Sequence, residues 1–182
     1  MRYERQPRPV TAPAAINSPP AWPVDWRDGV ALVAWLVIVL AAGASVGVLF
    51  PPGDWYQTLG KPSWNPPAWL FGPVWTALYV LLAIGAWLVA REPGPSADAE
   101  RPKAWLAFAL MAVLNLAWTP LFFGLKSPAL AFLDISLLWG MTVWMTLRFG
   151  RVRPMAGYLQ VPLVLWVSFA LVLNGTIWLI NS

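Results

Sequence analysis

The chain has 182 residues, of which 59% are hydrophobic and 11% are charged, and its net charge is +4. A soluble domain carries about 25% charged residues, so this composition excludes an ordinary soluble protein. Cysteine and histidine are absent from the sequence. Their absence excludes disulfides, thiol nucleophiles, thiolate metal sites and the commonest metal and haem ligand, so we expect no metal site.

Five apolar runs are long enough to cross a hydrocarbon core, which takes about 20 helical residues. The runs are apolar on all sides, whereas the strands of a membrane barrel are shorter and alternate in polarity. We therefore predict an all-α polytopic membrane protein, a bundle of five transmembrane helices. The predicted spans are residues 29–50, 69–90, 103–123, 129–149 and 155–180.

The N-terminal segment, residues 1–27, is rich in proline and arginine and lacks the apolar region of a signal peptide. We predict a disordered tail there, followed by a transmembrane domain over residues 28–182. With five spans, ten of the twelve lysines and arginines fall on the side of this tail. This asymmetry predicts a cytoplasmic N-terminus and an outward-facing first loop, and we expect a bacterial cell membrane. The same excess explains the basic charge without nucleic-acid binding.

Residues 55–79, which cover the linker after the first span and the start of the second span, hold four of the fourteen tryptophans together with several prolines. Each proline fixes φ and removes a backbone donor, so the loop is stiff as well as aromatic. A loop that only connected two helices would need little more than polar residues and a glycine. The composition therefore indicates a lid or a binding wall for a flat apolar ligand, and Trp64 is one candidate contact.

Three polar residues lie deep within the predicted spans. Asp134 is costly in lipid and is a functional candidate, although it also lies close enough to the interface to cap or hydrogen-bond a neighbour. Asn115 and Asn174 either hold helices together through hydrogen bonds or offer donors to a ligand. The sequence leaves both alternatives open for each residue.

Aromatic and polar side chains share one helical face in three of the spans. Such faces belong to small-molecule pockets or to an ordinary core, and their recurrence on three helices favours a pocket. No Ser/His/Asp set, phosphate loop or pair of carboxylates accompanies them, so conventional hydrolysis or transfer is not expected. The faces are Trp75 with Tyr79, then Asn115 with Trp118 and Phe122, then Trp166 with Ala170 and Asn174.

The chain resembles the TspO/MBR family, the translocator proteins once called peripheral benzodiazepine receptors. The shared motifs are WYQTLGKPSWNPPAW, FGPVWTALY, NLAWTPLFFGLK, ALAFLDISLLW and VPLVLWVSFALVLN, in the family's order and spacing over about residues 29–181. The resemblance implies a five-helix bundle, usually a homodimer, that binds porphyrins, isoquinoline- or benzodiazepine-type drugs and often sterols. It places the pocket between the helices, beneath the first loop.

The resemblance also implies roles for individual residues. Some bacterial members promote light-dependent breakdown of protoporphyrin IX through two tryptophans, which match Trp75 and Trp166 here. A porphyrin would then be a substrate rather than a ligand, and in neither case a cofactor. The further ligand-binding positions that match the family are Tyr56, Pro66, Asn115, Trp118, Asp134 and Ala170.

One segment departs from the family, whose sterol-recognition motif has a tyrosine and later an arginine after the asparagine of the last span. Here Gly175 and Thr176 follow Asn174, and no arginine comes after them. The principal hypothesis is a porphyrin-binding protein that senses, sequesters or degrades its ligand. The alternative is a transporter of porphyrins or other lipophiles, for which Asp134 is the candidate coupling site. A third hypothesis is a regulatory protein that contacts a partner through its tail.

Overall fold

The computed structural model describes residues 25–182, and every regular element among them is helical. Five of its helical segments are long and apolar enough to cross a membrane, which confirms the predicted all-α, multi-pass membrane fold. Residues 1–24 of the predicted tail lie outside the described residues, and the first helix begins at Trp26. The elements are α1 Trp26–Leu49, α2 Asp54–Thr58, α3 Ala68–Arg91, α4 Pro95–Thr119 with a π-helical turn Pro120–Gly124, α5 Pro128–Val152, α6 Pro154–Tyr158 and α7 Val161–Ile180.

Prolines begin three of the helices. Pro95, Pro128 and Pro154 each occupy the first helical position of α4, α5 and α6, where a missing N–H leaves no hydrogen bond unmade. The third span was predicted to start at residue 103, but α4 starts at Pro95. The polar stretch between these two positions is therefore the first turns of the helix and not a loop, because charged side chains are compatible with a helix end in water.

The π-helical turn at the end of α4 follows from Pro120. This residue has no N–H to donate to the preceding turn, and the N–H of Leu125 donates instead to the Pro120 carbonyl five residues back, at 2.8 Å. Phe122, on this turn, is 2% exposed and stacks on Trp118 with a centroid distance of 5.0 Å. The WTPLFFG segment thus supplies an aromatic surface at one end of the bundle.

The end of the bundle that carries most of the described arginines is closed by tight packing. An added Cβ on Gly157 would lie 2.7 Å from the Cα of Gly150, so α5 and α6 touch through their backbones. Gln160, fully buried between α6 and α7, donates from Nε2 to the carbonyls of Leu81 and Ala156 at 3.3 Å each. This buried amide fixes α7 against α3.

Ion pairs reinforce the same end. Arg91 of α3 pairs with Asp28 of α1 at 2.7 Å, and the Arg148 guanidinium of α5 lies 3.0 Å from the Glu100 carboxylate of α4. Because these pairs join neighbouring helices at their ends, they set helix positions while remaining in contact with water. We call this end, which contains residues 91–95 and 152–160, the basic end. The opposite end holds the functional site.

Candidate functional site

A cavity of about 480 Å³ lies in the half of the bundle opposite the basic end. Its wall is built from α1, α3, α4, α5 and α7, and residues 50–67, which we call the lid, contribute Phe50, Pro52 and Tyr56. Its volume falls in the range of small-molecule sites, about 300–1,000 Å³. Among the described residues that line it, none carries a charge. The cavity therefore suits an uncharged, largely apolar body.

Seven of the ten residues predicted to bind a ligand line this cavity, and three do not. Trp64 lies on the outer surface of the lid, 46% exposed, with its ring edge-on to Phe169 at 5.9 Å. Pro66 belongs to the lid but not to the cavity wall, and Asp134 is buried in α5 outside it. Ligand binding by any of the ten stays a prediction. The seven lining residues are Tyr56, Trp75, Asn115, Trp118, Trp166, Ala170 and Asn174.

On α3 and α4, two side-chain N–H groups of the cavity wall have no acceptor. The Tyr79 hydroxyl donates to Oδ1 of Asn115 at 2.9 Å, and the Trp75 ring lies one turn along α3 with its centroid 5.3 Å from that of Tyr79. The side-chain NH2 of Asn115 and the indole N–H of Trp75 donate to no other group among residues 25–182. Because both residues line the cavity, these N–H groups are available to a carbonyl or carboxylate on a ligand.

Asn174 also lines the cavity, but its side-chain amide already has hydrogen-bond partners in other helices. Its Oδ1 accepts from the indole N–H of Trp118 at 2.9 Å, and its Nδ2 donates to the carbonyl of Pro128 at 2.9 Å. The side chain is 2% exposed. Because both ends of the amide are paired, Asn174 joins α7 to α4 and to the start of α5. Of the two roles left open by the sequence, the structure supports the interhelical one for this residue.

Trp166 forms the aromatic wall on α7. Its ring lies 5.9 Å from that of Phe71 and 5.4 Å from that of Phe169. Its indole nitrogen is buried without a hydrogen-bond partner among the described residues, and so is Oδ2 of Asp134. Buried polar atoms of this kind are rare because desolvation is not offset by a hydrogen bond. Trp166 therefore offers an aromatic plane and an indole N–H without an acceptor.

Sequence reasoning missed the small residues of α1 and α3 that bound the cavity. Gly47 and Gly72 both line it, and a Cβ added at either would meet no atom within 4 Å. Gly43, one turn before Gly47, differs because its Cβ would lie 2.1 Å from the Tyr79 ring. The spacing of these two glycines, four residues apart, is visible in the sequence, but such a spacing is typical of close helix packing and does not by itself predict a cavity. In the structure, Gly43 packs against the Tyr79 ring, and Gly47 faces open space in the cavity.

The lid rests on the aromatic surface of the π-helical turn. Tyr56 of α2 contacts the rings of Phe122 and Phe123 with centroid distances of 6.2 and 5.5 Å. Burial raises the pKa of the Tyr56 phenol above its ordinary value, so the hydroxyl stays protonated at neutral pH. The ammonium of Lys61 lies 4.5 Å above the Tyr56 ring. The positive charge of Lys61 therefore lies against the Tyr56 ring, which lines the cavity.

The sequence profile of the TspO/MBR family matches residues 34–179. The chain belongs to this family. Its relatives include Protein CrtK of Rhodobacter capsulatus, 39% identical over 82% of this chain and 92% of that protein. They also include the Tryptophan-rich protein TspO of Chlorobaculum tepidum, 42% identical over 79% and 91%, and the Translocator protein of Homo sapiens, 37% identical over 75% and 82%.

The departure of this TspO/MBR chain after Asn174 has a packing reason. A Cβ added to Gly175 would lie 2.8 Å from the ring of Phe132 on α5. The tyrosine that the family resemblance predicts at this position would therefore require the Phe132 ring to move. The glycine permits close contact between α5 and α7.

Proposed function

We propose that this TspO/MBR protein binds protoporphyrin IX and related flat tetrapyrroles in the cavity beneath the lid, where it senses or sequesters them. The observation that carries the proposal is the uncharged cavity of about 480 Å³ with aromatic rings on α3, α4, α7 and the lid. Rings favour offset or edge contacts with a planar aromatic ligand. Trp75 and Trp166 are the rings that we expect to hold the macrocycle.

The polar groups suggest how such a ligand would be oriented. A carboxylate buried without a partner is strongly unfavourable, so the propionates would lie towards the lid, near Lys61, or accept from Asn115. Smaller isoquinoline- or benzodiazepine-type ligands carry carbonyl oxygens, which suit the unused N–H groups of Asn115 and Trp75. The same cavity would then accept both ligand classes, and no cofactor is required.

Titration of the purified protein in lipid nanodiscs tests the proposal. Protoporphyrin IX is added in darkness, and tryptophan fluorescence quenching is recorded. Trp75→Phe should weaken saturable binding several-fold, because the indole has both a larger ring and an N–H. Trp139→Phe is the matched control, since Trp139 lies outside the cavity and donates to Ser168 at 2.8 Å. Quenching that never saturates, or equal effects of both substitutions, would contradict the proposal.

A second candidate function is light-dependent degradation of the bound porphyrin. It is favoured by the placement of both Trp75 and Trp166 on the wall of one cavity. An excited porphyrin would accept an electron from a neighbouring tryptophan and pass it to dioxygen. The tryptophan radical would then take an electron back from the macrocycle, so that the porphyrin is oxidised, dioxygen is reduced and the tryptophan is restored. Under illumination, Trp75→Phe and Trp166→Phe should slow the loss of porphyrin absorbance more than they weaken binding in darkness. Unchanged rates in both variants would refute this activity.

Three further expectations stay predictions. The transport alternative relied on Asp134, which does not line the cavity, and gradient-dependent flux into sealed vesicles would be needed to support it. The homodimer rests on the family resemblance alone. We also propose that the basic end faces the cytoplasm of a bacterial cell, which the distribution of lysine and arginine supports.

A further inference from the structure

The last residues of the chain contact the middle of the lid. The Gly60 N–H donates to Oδ1 of Asn181 at 2.9 Å, and Nδ2 of Asn181 donates back to the Gly60 carbonyl at 2.9 Å. The same Nδ2 also donates to the carbonyl of Ile177 at 2.7 Å. One side chain therefore pairs with both backbone polar groups of a lid residue and with the last turn of α7.

This pairing is distinct from the other lid contacts. Within residues 25–182, the hydrogen bonds between Gly60 and Asn181 are the ones that join the lid to α4, α5 or α7. The lid also packs against these helices through aromatic side chains, which include Trp55, Tyr56 and Trp64. Ring contacts tolerate sliding, whereas a two-point amide pairing fixes both distance and direction. Asn181 therefore determines where the lid sits.

The absence of a side chain at Gly60 permits this contact. An added Cβ there would lie 2.7 Å from Cγ2 of Ile180 and 3.5 Å from Oδ1 of Asn181, so only glycine allows the lid to approach so closely. Ile177, the third partner of Asn181, lines the cavity with its side chain. The pairing thus connects the cavity wall to its cover. Asn181 also lies beyond residues 34–179, which the family profile matches.

We propose that Asn181 is a positioning residue that fastens the lid to α7 and thereby limits the rate at which ligands enter and leave the cavity. The ligand in this proposal is the one given by the proposed function. The pairing between Gly60 and Asn181 itself involves no ligand atom. Because both partners of the pairing are groups of the protein, we infer that it slows entry as well as exit. Its loss should change both rates and leave the affinity almost unchanged.

The first test needs no ligand. Hydrogen exchange is followed by mass spectrometry on peptides that cover the lid, in Asn181→Ala and in the control Ser182→Ala. Ser182 is the neighbouring residue, and its hydroxyl donates only to the carbonyl of Leu179. We expect exchange at Gly60 and its neighbours to rise about tenfold in Asn181→Ala and not in the control. Equal exchange in both variants would overturn the proposal.

The second test measures the rates with protoporphyrin IX as the probe, by stopped-flow fluorescence in darkness. Asn181→Ala should raise the association and dissociation rate constants by the same factor, about three- to tenfold, with Kd constant within twofold. A variant that was merely less stable would change Kd or the melting temperature instead. Unchanged rate constants would overturn the proposal, because ligand exchange would then not require the lid to lift.

A reciprocal variant tests the contact from the side of the lid. Gly60→Ala leaves Asn181 intact but introduces the clash with Ile180, so it should accelerate both rates in the same way. Adding Ile180→Ala removes the clashing methyl group and should restore slow exchange. Failure of this rescue would count against the proposal. If the wild-type protein does not bind protoporphyrin at all, the proposed function fails, and hydrogen exchange alone decides the role of Asn181.

Discussion

Two glycines of the basic end and two glycines of the cavity wall have opposite surroundings. At the basic end, neighbouring atoms lie 2.7 and 2.1 Å from where the Cβ atoms of Gly157 and Gly85 would be. On the cavity wall, Gly47 and Gly72 face open space. Empty volume in a core is destabilising because the lining atoms lose contacts. Other glycines of the lid half also contact neighbouring atoms, so the cavity is a local gap between helices that otherwise pack closely.

Polar groups follow the same division. At the basic end, Arg91 and Arg148 form ion pairs across helices, and the Gln160 amide donates to α3, although its Oε1 is buried without a partner among the described residues. On the cavity wall, Asn115 and Trp75 keep donors that no group among the described residues accepts. A bundle that satisfied every polar group would have nothing left to recognise a ligand. The difference therefore separates residues that determine stability from residues that determine binding.

The largest effect on this comparison is expected from Gly157→Ala. The added methyl group would lie 2.7 Å from the Cα of Gly150 and 3.0 Å from the Thr146 carbonyl oxygen, so α5 and α6 must separate. Overpacking of this kind costs about 1–3 kcal/mol, which lowers the melting temperature by about 2–10 °C. Circular dichroism during heating of the detergent-solubilised protein would measure it.

Two alanine variants serve as controls for Gly157→Ala. Gly150→Ala lies at the same contact, but its methyl group would be 3.8 Å from the Cα of Gly157, an ordinary van der Waals distance. Gly72→Ala lies on the cavity wall, where nothing is within 4 Å, and replacing a helical glycine favours the helix by about 1 kcal/mol. Both should melt at or above the wild-type temperature. Equal destabilisation by all three would show that the two halves do not differ.

A second, smaller effect separates the two asparagines. Asn174→Leu leaves the Trp118 N–H buried without a partner, which costs about 1–3 kcal/mol, so the melting temperature should fall. Asn115→Leu removes an unused donor, so it should weaken ligand binding about two- to tenfold, which Asn174→Leu should not do. It also removes the acceptor of the Tyr79 hydroxyl, so its melting temperature should fall as well. Melting curves and protoporphyrin titrations on both variants would show the contrast. Lost affinity with unchanged melting in Asn174→Leu would show that its amide serves the ligand.

The spans and the aromatic block could be predicted because they depend on local sequence. A run of about 20 apolar residues needs no partner to be identified as a membrane helix. The start of α4 was missed because hydropathy does not detect a polar helical turn, although Pro95 at its first position was a visible signal. The π-helical turn was not predicted, since it depends on how the chain relieves the missing N–H of Pro120.

The cavity was harder to predict. Periodicity identifies which residues share one face of a helix, but not which other helix lies against that face. Trp166, Ala170 and Asn174 were correctly placed on one face, and all three line the cavity. Nothing in the spacing revealed that the Asn174 amide is paired while that of Asn115 keeps a free donor. The same limit applies to Asp134, which is buried at depth as its position suggested but does not line the cavity.

The smallest expected effect concerns the lid and the charge of the ligand. Lys61→Gln removes the cation that lies 4.5 Å above the Tyr56 ring, at the edge of a cavity whose described lining is uncharged. If the propionates of protoporphyrin lie towards the lid, affinity should fall about two- to fivefold at low salt, as for a partly exposed ion pair. The difference should shrink at high ionic strength because salt screens exposed charges.

The dimethyl ester of protoporphyrin IX is the matched ligand for this measurement, since it has the same macrocycle without carboxylates. Its affinity should be equal in the wild-type protein and in Lys61→Gln. Lys126→Gln is the matched variant, because Lys126 is an exposed lysine at the same end of the bundle that does not line the cavity. If the ester loses as much affinity as the diacid, Lys61 acts by supporting Tyr56 and not by attracting charge. The positive charge of Lys61 would then support the structure of the lid, as the paired arginines support the basic end, and it would not contribute to ligand recognition.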